Sequence, residues 1–365
     1  MKMNNLLTID RQHPQTSALS RAAKILQDGG LVAFPTETVY GLGANALDPE
    51  AVKKIFIAKG RPSDNPLIVH VAKIADVEKL AQRITPTARM LMKKFWPGPL
   101  TLVLKKRPIV PKEVTGGTGT VAVRMPAHPV ALALIRAAQI PVAAPSANLS
   151  GKPSPTDAAH VVEDFGGRID LILDGGKTRV GLESTVIDAT GKTISILRNG
   201  QITAEKLAKV LGYTPKIAAS HKDKKGKIKS PAEVRSPGMK YRHYAPAVPL
   251  YLIENSDLDV AEVQLDLMRK KIVKFAKNGQ RVGVLCSLEN EKLYRKLAGV
   301  HQVVVCGSAK NPASIARGLF ASLRKFHTAN VDVIVAESFP RKGIGHAIMD
   351  RLGRAAEKDD KIGRR

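Results

Sequence analysis

Short apolar runs recur between residues 31 and 198, and they constrain the fold more than any other feature of the chain. The runs are LVAFP (31–35), PLIVHV (66–71), LTLVL (100–104), TVAVR (120–124), IPVAAP (140–145), LILD (171–174), STVID (184–188) and ISILR (194–198). Apolar runs of this length, bounded by Gly- and Pro-rich turns, predict buried strands. Several follow one another without an intervening helix, which favours a mixed, twisted sheet over a purely parallel one.

Helical patterns separate some of these strands. Apolar residues repeat with the helical period from Leu19 to Leu26 and stop at Gly29-Gly30, a suitable C-terminal cap. Further helices are predicted around 129–139, 156–165 and 203–211. Together these elements predict an α/β domain over residues 1–213.

The chain changes character at residues 214–246. Between Lys216 and His243 it has nine Lys or Arg and two acidic residues, with Gly and Pro interspersed, which predicts a basic linker. Strand and helix patterns then alternate regularly over residues 247–365, which predicts a smaller, parallel, Rossmann-like α/β domain. This second domain has no glycine fingerprint for a dinucleotide and no phosphate-loop lysine motif.

The net charge is the unusual feature of the composition. Lys and Arg number 58 and Asp and Glu 32, a balance of +26 that favours polyanionic partners. Aromatic residues make up only 4%, which argues against a base-stacking platform. Nonspecific RNA contact and adaptation to an ionic environment both remain open.

The chain contains no apolar stretch long enough to cross a membrane and no apolar signal-peptide core. Cys286 and Cys306 each end a strand-like run, which predicts buried free thiols and a cytoplasmic location.

Polar side chains cluster where several predicted strands begin or end. Lys59 and Arg61 flank a glycine before one strand, and such cations suit an anionic ligand, although Lys59 would also complement a helix C-terminus. His70 interrupts an apolar run and Arg124 closes another; a buried charge of this kind needs a partner. Ser154 lies where it can hold a ligand or cap a helix.

No serine or cysteine nucleophile with a linked histidine and acid emerges, and the histidines show no zinc-binding spacing. The pattern instead favours a site that positions a polyanion with Lys, Arg, hydroxyls and backbone amides. Such sites serve nucleotidyl and phosphoryl transfer.

The same segments, taken in order, resemble the threonylcarbamoyl-AMP synthase family in its long form, which joins a YrdC-type catalytic domain to a C-terminal domain. The motifs are PTETVYGLG, KGRP with NPLIVH, WPGPLTLVL, VRMPAHP, PSANLSGKPSPT, DGG with GLESTVID, LRNG, and the linker segment SPGMKYRHYAP. One departure is Asn199, where the family pattern has proline.

The resemblance implies a twisted mixed sheet with a concave, basic cavity and an enzyme that joins L-threonine, bicarbonate and ATP, with Mg²⁺, to give threonylcarbamoyl-AMP and pyrophosphate. By matching motifs, the residues around threonine would be Thr38, His70, Arg124, Ala144 and Ser184. Those around ATP would be Lys59, Arg61, Asn65, Thr120, Ser146, Ser154, Arg198 and a linker tyrosine, Tyr244, with Lys59 and Arg61 as the catalytic cations. Independently of the resemblance, the Met, Tyr and Pro residues of 236–246 predict a segment that docks, either as a lid over this cavity or permanently against the C-terminal domain. The product would pass to a tRNA threonylcarbamoyl-transfer complex.

Three alternatives stay open at this point. A carbamoyltransferase of the hydrogenase-maturation type uses a similar domain, but the chain lacks the additional acylphosphatase and zinc-finger segments. A non-enzymatic RNA-binding protein would account for the charge. An unrelated nucleotide enzyme seated in the C-terminal domain is disfavoured, because that domain lacks phosphate-binding motifs.

Overall fold

The computed structural model describes residues 5–218, 243–254 and 261–357, which divide into two compact units. The first unit contains the described residues up to 150 and from 154 to 218. The second contains residues 151–153 and those from 243 onward. The predicted linker, 214–246, lies mostly outside the described residues, as does most of the proposed lid.

The first unit is built on one mixed sheet, for which twelve strands are described. The strands are β1 (Leu6–Thr8), β2 (Val32–Phe34), β3 (Gly41–Asn45), β4 (Ile68–His70), β5 (Ala81–Gln82), β6 (Leu100–Lys106), β7 (Thr120–Arg124), β8 (Val142–Ala143), β9 (Leu171–Asp174), β10 (Thr185–Asp188), β11 (Ser195–Arg198) and β12 (Lys216–Ile217). Their order is β1-β9-β2-β3-β8-β4-β7-β6-β10-β11-β12, with β5 paired to β6. Both parallel and antiparallel pairs occur along it, so the predicted mixed sheet is confirmed.

Helices cover both faces of this sheet. They are α1 (Thr16–Gln27), α2 (Pro49–Lys59), α3 (Val77–Leu80), α4 (Pro86–Phe95), α5 (Lys112–Thr115), α6 (Pro129–Ala138), α7 (Ala158–Phe165) and α8 (Ala204–Leu211). The alternation along β2 separates two apolar cores: Ala33 packs into the core that contains α2, whereas Val32 and Phe34 pack into the core formed with α1 and α6. Burial on both faces explains why the strands read as continuous apolar runs.

Strand β3 is not among the strands that the apolar runs of the sequence predict. The strand contains Gly41 and Gly43, residues that normally weaken a strand. A Cβ at Gly43 would lie 2.8 Å from the ring of Phe34, so glycine is what lets β3 pack this closely on β2.

Local signals set the ends of α2, which carries Lys59. The Asp48 side chain accepts hydrogen bonds from the backbone amides of Glu50 and Ala51, and Pro49 occupies the first turn. Gly60 ends the helix in the left-handed region at φ 59°. Lys59 is therefore the last helical residue, and the chain turns sharply after it.

The second unit is a smaller α/β structure whose four described strands are all parallel, as predicted. Its elements are β13 (Leu250–Ile253), α9 (Ala261–Lys277), β14 (Val282–Ser287), α10 (Glu291–Arg295), β15 (Val300–Gly307), α11 (Pro312–Lys325), β16 (Val333–Glu337) and α12 (Gly345–Ala355). The strand order is β13-β16-β14-β15. Cys286 and Cys306 are buried and unbridged, as the sequence predicts. Within the described parts of the chain, no helix is both long and apolar enough to span a membrane.

Gly200 offers a test of the packing that fixes the start of β10. A Cβ at this position would lie 2.4 Å from the backbone nitrogen of Thr185 and 2.7 Å from the carbonyl oxygen of Glu183. We expect Gly200→Ala to lower the free energy of unfolding by about 1–3 kcal/mol, because the 183–185 backbone must shift. Gly191→Ala is the matched control, since a Cβ there meets nothing within 4 Å. Urea unfolding of both variants measures the difference, and equal stabilities would contradict the packing described.

Candidate active site

The register of β4 and β7 brings two of the predicted threonine residues side by side. The two strands are parallel neighbours, and His70 is paired with Arg124. Both residues are buried, with 3% and 4% of their surfaces exposed. The sheet therefore holds a histidine and an arginine, far apart in the sequence, next to each other in the interior.

Two segments, Glu37-Thr38 and the turn at Gly98, hold the guanidinium of Arg124. Nη1 donates to Oγ1 of Thr38 at 2.9 Å, Nε donates to the carbonyl oxygen of Gly98 at 3.3 Å, and Nη2 lies 2.7 Å from Oε2 of Glu37. We call Glu37, Thr38, His70 and Arg124 the Arg124 cluster. Because the fork is fixed from several directions, it presents a cation of defined orientation.

Glu37 and Arg124 form a buried ion pair, with side-chain exposures of 4% and 5%. The contact at 2.7 Å is not aligned as a hydrogen bond, and neither carboxylate oxygen has a hydrogen-bond partner among the described residues. Removing one member of a buried pair generally costs about 3–5 kcal/mol, because the other charge is left uncompensated. The pair is thus a constraint on the fold as well as a feature of the site.

His70 is neutral in this environment. Burial, together with the nearby charge of Arg124, lowers the pKa of His70 to about 3. Its Nδ1 is buried and has no hydrogen-bond partner in the described part of the chain. The cluster therefore has one fixed cation, on Arg124, beside a neutral imidazole.

Ser184 connects the residues predicted for threonine with those predicted for ATP. Its Oγ lies 2.7 Å from Oγ1 of Thr101 in β6, the neighbour of β7. Arg198 donates to the carbonyl oxygen of Ser184 through Nε at 3.2 Å and Nη2 at 3.0 Å, and Nη2 also lies 3.2 Å from Ser184 Oγ. A residue predicted to bind ATP and one predicted to bind threonine are thus in direct contact.

Glu183, the residue before Ser184, also contacts a residue predicted to bind ATP. Ser154 is fully buried and its Oγ donates to Oε1 of Glu183 at 2.6 Å. Glu183 and Ser184 are consecutive, and each contacts a residue predicted to bind ATP. Movement of this short segment would affect both groups of residues.

Lys59 has a positioning role that the sequence does not reveal. Its Nζ donates hydrogen bonds to the carbonyl oxygens of Ser146 and Asn148, and its own carbonyl accepts from the amide of Ser150 at 2.9 Å. These contacts fasten the end of α2 to the loop that carries Ser146. Burial leaves only 3% of Lys59 exposed.

The other predicted ATP residues of this unit lie on adjoining loops. Arg61 is half-buried and its Nη2 lies 3.5 Å from the carbonyl oxygen of Pro66. Asn65 is fully buried, and neither atom of its amide has a hydrogen-bond partner among the described residues. Thr120 begins β7 with its hydroxyl 3.2 Å from that of Thr118. A buried amide without partners is costly and marks a place where a polar ligand would be stabilising.

Ala144 and Ser146 approach the same region through β8. The amide of Ala144 donates to the carbonyl oxygen of Ile68 in β4 at 2.9 Å, and Ser146 forms a bridge with Gly41 at the start of β3. A Cβ on Gly41 would lie 3.3 Å from that of Ala144, so the backbone here is closely packed.

Comparison with known proteins covers nearly the whole chain. A family model described as telomere recombination, of the Sua5–YciO–YrdC type, matches residues 24–200. A second model, described as threonylcarbamoyl-AMP synthase, C-terminal domain, matches residues 202–357. The threonylcarbamoyl-AMP synthase of Pyrococcus abyssi is 49% identical over 92% of this chain and 93% of its own length. The chain belongs to the threonylcarbamoyl-AMP synthase family.

Other members of this family agree with that assignment. The Bacillus subtilis threonylcarbamoyl-AMP synthase is 48% identical over 93% of this chain and 92% of its own length. Among solved structures, P. abyssi Sua5 complexed with L-threonine superposes with a TM-score of 0.86 and 46% identity, covering 96% of this chain and 97% of that one. Escherichia coli YciO, at 26% identity and a TM-score of 0.50, covers 54% of this chain and 96% of its own, and shares the fold.

Tyr244 lies in the second unit, apart from the other predicted site residues, which all belong to the first. Its ring is 6% exposed and stacks on Phe320 with centroids 5.0 Å apart, and the guanidinium of Arg351 lies 5.8 Å from the ring centroid. Its contact with ATP stays a prediction.

Sequence reasoning missed three polar residues that hold the predicted ones in place: Glu37, Thr101 and Glu183. Glu37 stands in a motif already singled out, and Glu183 directly precedes Ser184. A charged residue inside an otherwise apolar or hydroxyl-rich motif was the available signal, because such a charge needs a buried partner. Among the described residues, no group of three or more His, Cys, Asp and Glu side chains is arranged to hold a metal ion.

The pKa of His70 predicts how stability depends on pH. At pH 7 the histidine is neutral in both the folded and the unfolded chain; below pH 6.5 the unfolded chain takes up a proton that the folded protein resists, because the folded pKa is about 3. Stability should therefore fall with falling pH by about 1.4 kcal/mol per pH unit for this group. We expect His70→Gln to lose less stability between pH 7 and pH 5 than the wild type, by about 2 kcal/mol.

Urea unfolding at the two pH values measures this difference and cancels the cost of the substitution at pH 7. His128, whose pKa burial lowers to about 4, makes a similar contribution in both proteins. Parallel losses in wild type and variant would show that His70 is not held neutral.

Proposed function

We propose that the chain condenses L-threonine, bicarbonate and ATP to threonylcarbamoyl-AMP and pyrophosphate, as a nucleotidyltransferase. Family membership supports the activity, and the contact between Arg198 and Ser184 carries its assignment to this site. That contact joins a residue proposed for ATP to one proposed for threonine. Two substrates that must react with each other need subsites that adjoin in this way.

The chemistry defines what the site must do. The neutral amine of threonine combines with bicarbonate to give a carbamate and water. A carbamate oxygen then attacks the α-phosphorus of ATP, and pyrophosphate leaves with the electron pair of the broken P–O bond. Both steps require that two reactants of like charge be held together, which positioned cations make possible.

We assign the α-carboxylate of threonine to Arg124. Its guanidinium is buried, and its orientation is fixed by Thr38 and Gly98. A bidentate arginine fork matches a carboxylate in shape as well as in charge. Neutral His70, Ala144 and Ser184 would complete the threonine subsite.

We assign the phosphates of ATP, bound with Mg²⁺ as the substrate complex, to Arg61 and the loops that Lys59 holds together. Asn65, Thr120, Ser146, Ser154 and Arg198 would supply the remaining polar contacts. The partnerless buried amide of Asn65 supports a polar ligand at this place. Tyr244 is proposed as a further contact for ATP.

The product would serve the threonylcarbamoyl modification of tRNA through a separate transfer complex. A cytoplasmic location is part of the same proposal, and the two unbridged, buried cysteines support it.

Pyrophosphate release with each substrate omitted in turn tests this function. Turnover that requires ATP, L-threonine and bicarbonate together is the expected result. A carbamoyltransferase acting on carbamoyl phosphate would not need threonine with bicarbonate, and a purely RNA-binding protein would release no pyrophosphate. Either outcome would overturn the proposal.

Arg61 and Arg124 should affect different substrates. Loss of the Arg61 guanidinium removes charge stabilisation from the phosphates, so Arg61→Ala should lower turnover about 100-fold. Arg124→Lys keeps a cation but loses the fork, and should raise the KM for threonine about 10- to 100-fold with little change for ATP.

The matched control is Arg89→Ala, a surface arginine with 54% of its side chain exposed in an ion pair with Glu78. Steady-state kinetics of the three variants, each checked for an unchanged melting profile, decide the matter. An Arg124→Lys enzyme whose KM rises for ATP and not for threonine would reverse the two assignments.

RNA contact is a second proposal, carried by a separate groove in the first unit. Lys93, Lys94, Lys206 and Lys209 line this groove between α4 and α8, with Met90, Phe95 and Val210. Its volume is about 850 Å³, and its lining includes no acidic residue. Four lysines beside one another are the arrangement that attracts a phosphate backbone.

Changing these four lysines to serine should weaken tRNA binding. It should also lower the slope of log K against log salt concentration by the equivalent of up to about four phosphate contacts. Filter binding from about 50 to 200 mM salt measures both effects, because affinity that depends on phosphate contacts falls steeply over this range. The control variant changes Lys24 and Lys53, two exposed lysines of α1 and α2 that are already paired with Asp28 and Glu50. Equal binding by both variants would exclude the groove as the RNA contact.

A further inference from the structure

Glu37 is a buried acid for which the roles assigned so far give no function. It lies beside Arg124, with Oε2 at 2.7 Å from Nη2, and only 3% of the residue is exposed. Neither of its carboxylate oxygens has a hydrogen-bond partner among the described residues. A carboxylate held in the interior with unused acceptors is costly unless a donor reaches it.

The charges around Glu37 show which kind of donor fits. The neighbouring ring of His128 is buried, and neither of its nitrogens has a partner in the described part of the chain. Burial lowers the pKa of His128 to about 4, so this residue is neutral near pH 7 and gives Glu37 no compensating charge. Arg124 is thus the cation in direct contact with Glu37. If an anionic ligand also pairs with Arg124, the carboxylate of Glu37 needs a second positive group.

An α-amino acid has the complementary pattern. Its carboxylate and its ammonium are attached to one carbon, and Glu37 and Arg124 present an anion and a cation side by side. A carboxylate ligand alone would compete with Glu37 for the arginine, whereas a zwitterion gives each charge of the pair an opposite charge. The geometry therefore favours a ligand that has both groups.

We propose that Glu37 is a specificity residue of the threonine subsite and that its carboxylate accepts hydrogen bonds from the α-ammonium of the substrate. This inference rests on the proposed function, in which Arg124 takes the α-carboxylate. It adds a selection for amino acids over carboxylic acids that lack the amine, and it places the nitrogen that is to become the carbamate. Before that nitrogen attacks bicarbonate, the ammonium gives up one proton to the carboxylate of Glu37, which leaves the neutral amine. Thr38 accepts a hydrogen bond of 2.9 Å from Arg124 and so orients the arginine, while Glu37 would bind the ammonium of the substrate.

Calorimetric binding of L-threonine and of (R)-3-hydroxybutyrate, which is threonine without its amine, tests the proposal. The wild type should prefer threonine by at least about tenfold, since only threonine supplies the charge-assisted bond to Glu37. Glu37→Gln should weaken threonine at least about tenfold and leave 3-hydroxybutyrate within about threefold.

A purely structural role predicts a different result. If Glu37 only held Arg124 in place, both ligands would weaken equally, because both use the same guanidinium, and the proposal would be overturned. Glu183→Gln serves as the matched control, because it removes another buried carboxylate near Ser184 and should not change the preference between the two ligands.

The wild-type measurement keeps the test decisive if Glu37→Gln does not fold. Equal wild-type affinities for threonine and 3-hydroxybutyrate would overturn the proposal without any variant. Glu37→Asp, which keeps the charge on a shorter side chain, should retain the preference for threonine with reduced affinity. Pyrophosphate release by the wild type is measured separately, so a chain without threonine-dependent turnover contradicts the proposed function, whereas turnover without selectivity for the amine contradicts only the role of Glu37.

Discussion

A buried guanidinium is the constraint on which the rest of the site depends. Removing an arginine from water costs free energy and is tolerated only where its donors and its charge are matched by partners. For Arg124 these partners come from two separate segments: one supplies the carboxylate of Glu37 and the hydroxyl of Thr38, and the other supplies the backbone of Gly98. The strand order that places β6 and β4 on either side of β7 is therefore tied to the chemistry of one side chain.

A second group of buried contacts is centred on Glu183 and Ser184. Glu183 and Ser184 are neighbours in sequence, yet one contacts Ser154 and the other contacts Arg198 and Thr101. Three distant segments thereby meet at one dipeptide just before β10. Hydrogen-bond networks of this type are rigid when fully satisfied, so the positions of Ser154, Ser184 and Arg198 depend on one another.

Much of this architecture could be predicted from the sequence, and the reasons are local. Runs such as TVAVR and LILD became strands with the predicted ends, because burial on both faces demands continuous apolar residues. Strand β3 was missed because its glycines are explained only by the ring of Phe34 on the adjacent strand. The motifs also included Arg124, Ser184 and Arg198, and the structure brings the last two into contact. Their partners could not be read, because which acid meets which arginine is decided by strand order, and strand order is not encoded in any short segment.

Lys59 illustrates what such a hidden contact means for the chemistry. Its ammonium donates to the carbonyls of Ser146 and Asn148 and is almost wholly buried. An ammonium group has no lone pair, and here it donates to two carbonyl oxygens of the backbone. A mixed anhydride of a carbamate and a phosphate is an acylating agent, and an accessible neutral lysine beside it would be a competing nucleophile. In the proposed site, tying this amine to the backbone would keep a cation close to the reactive product without exposing a nucleophile to it.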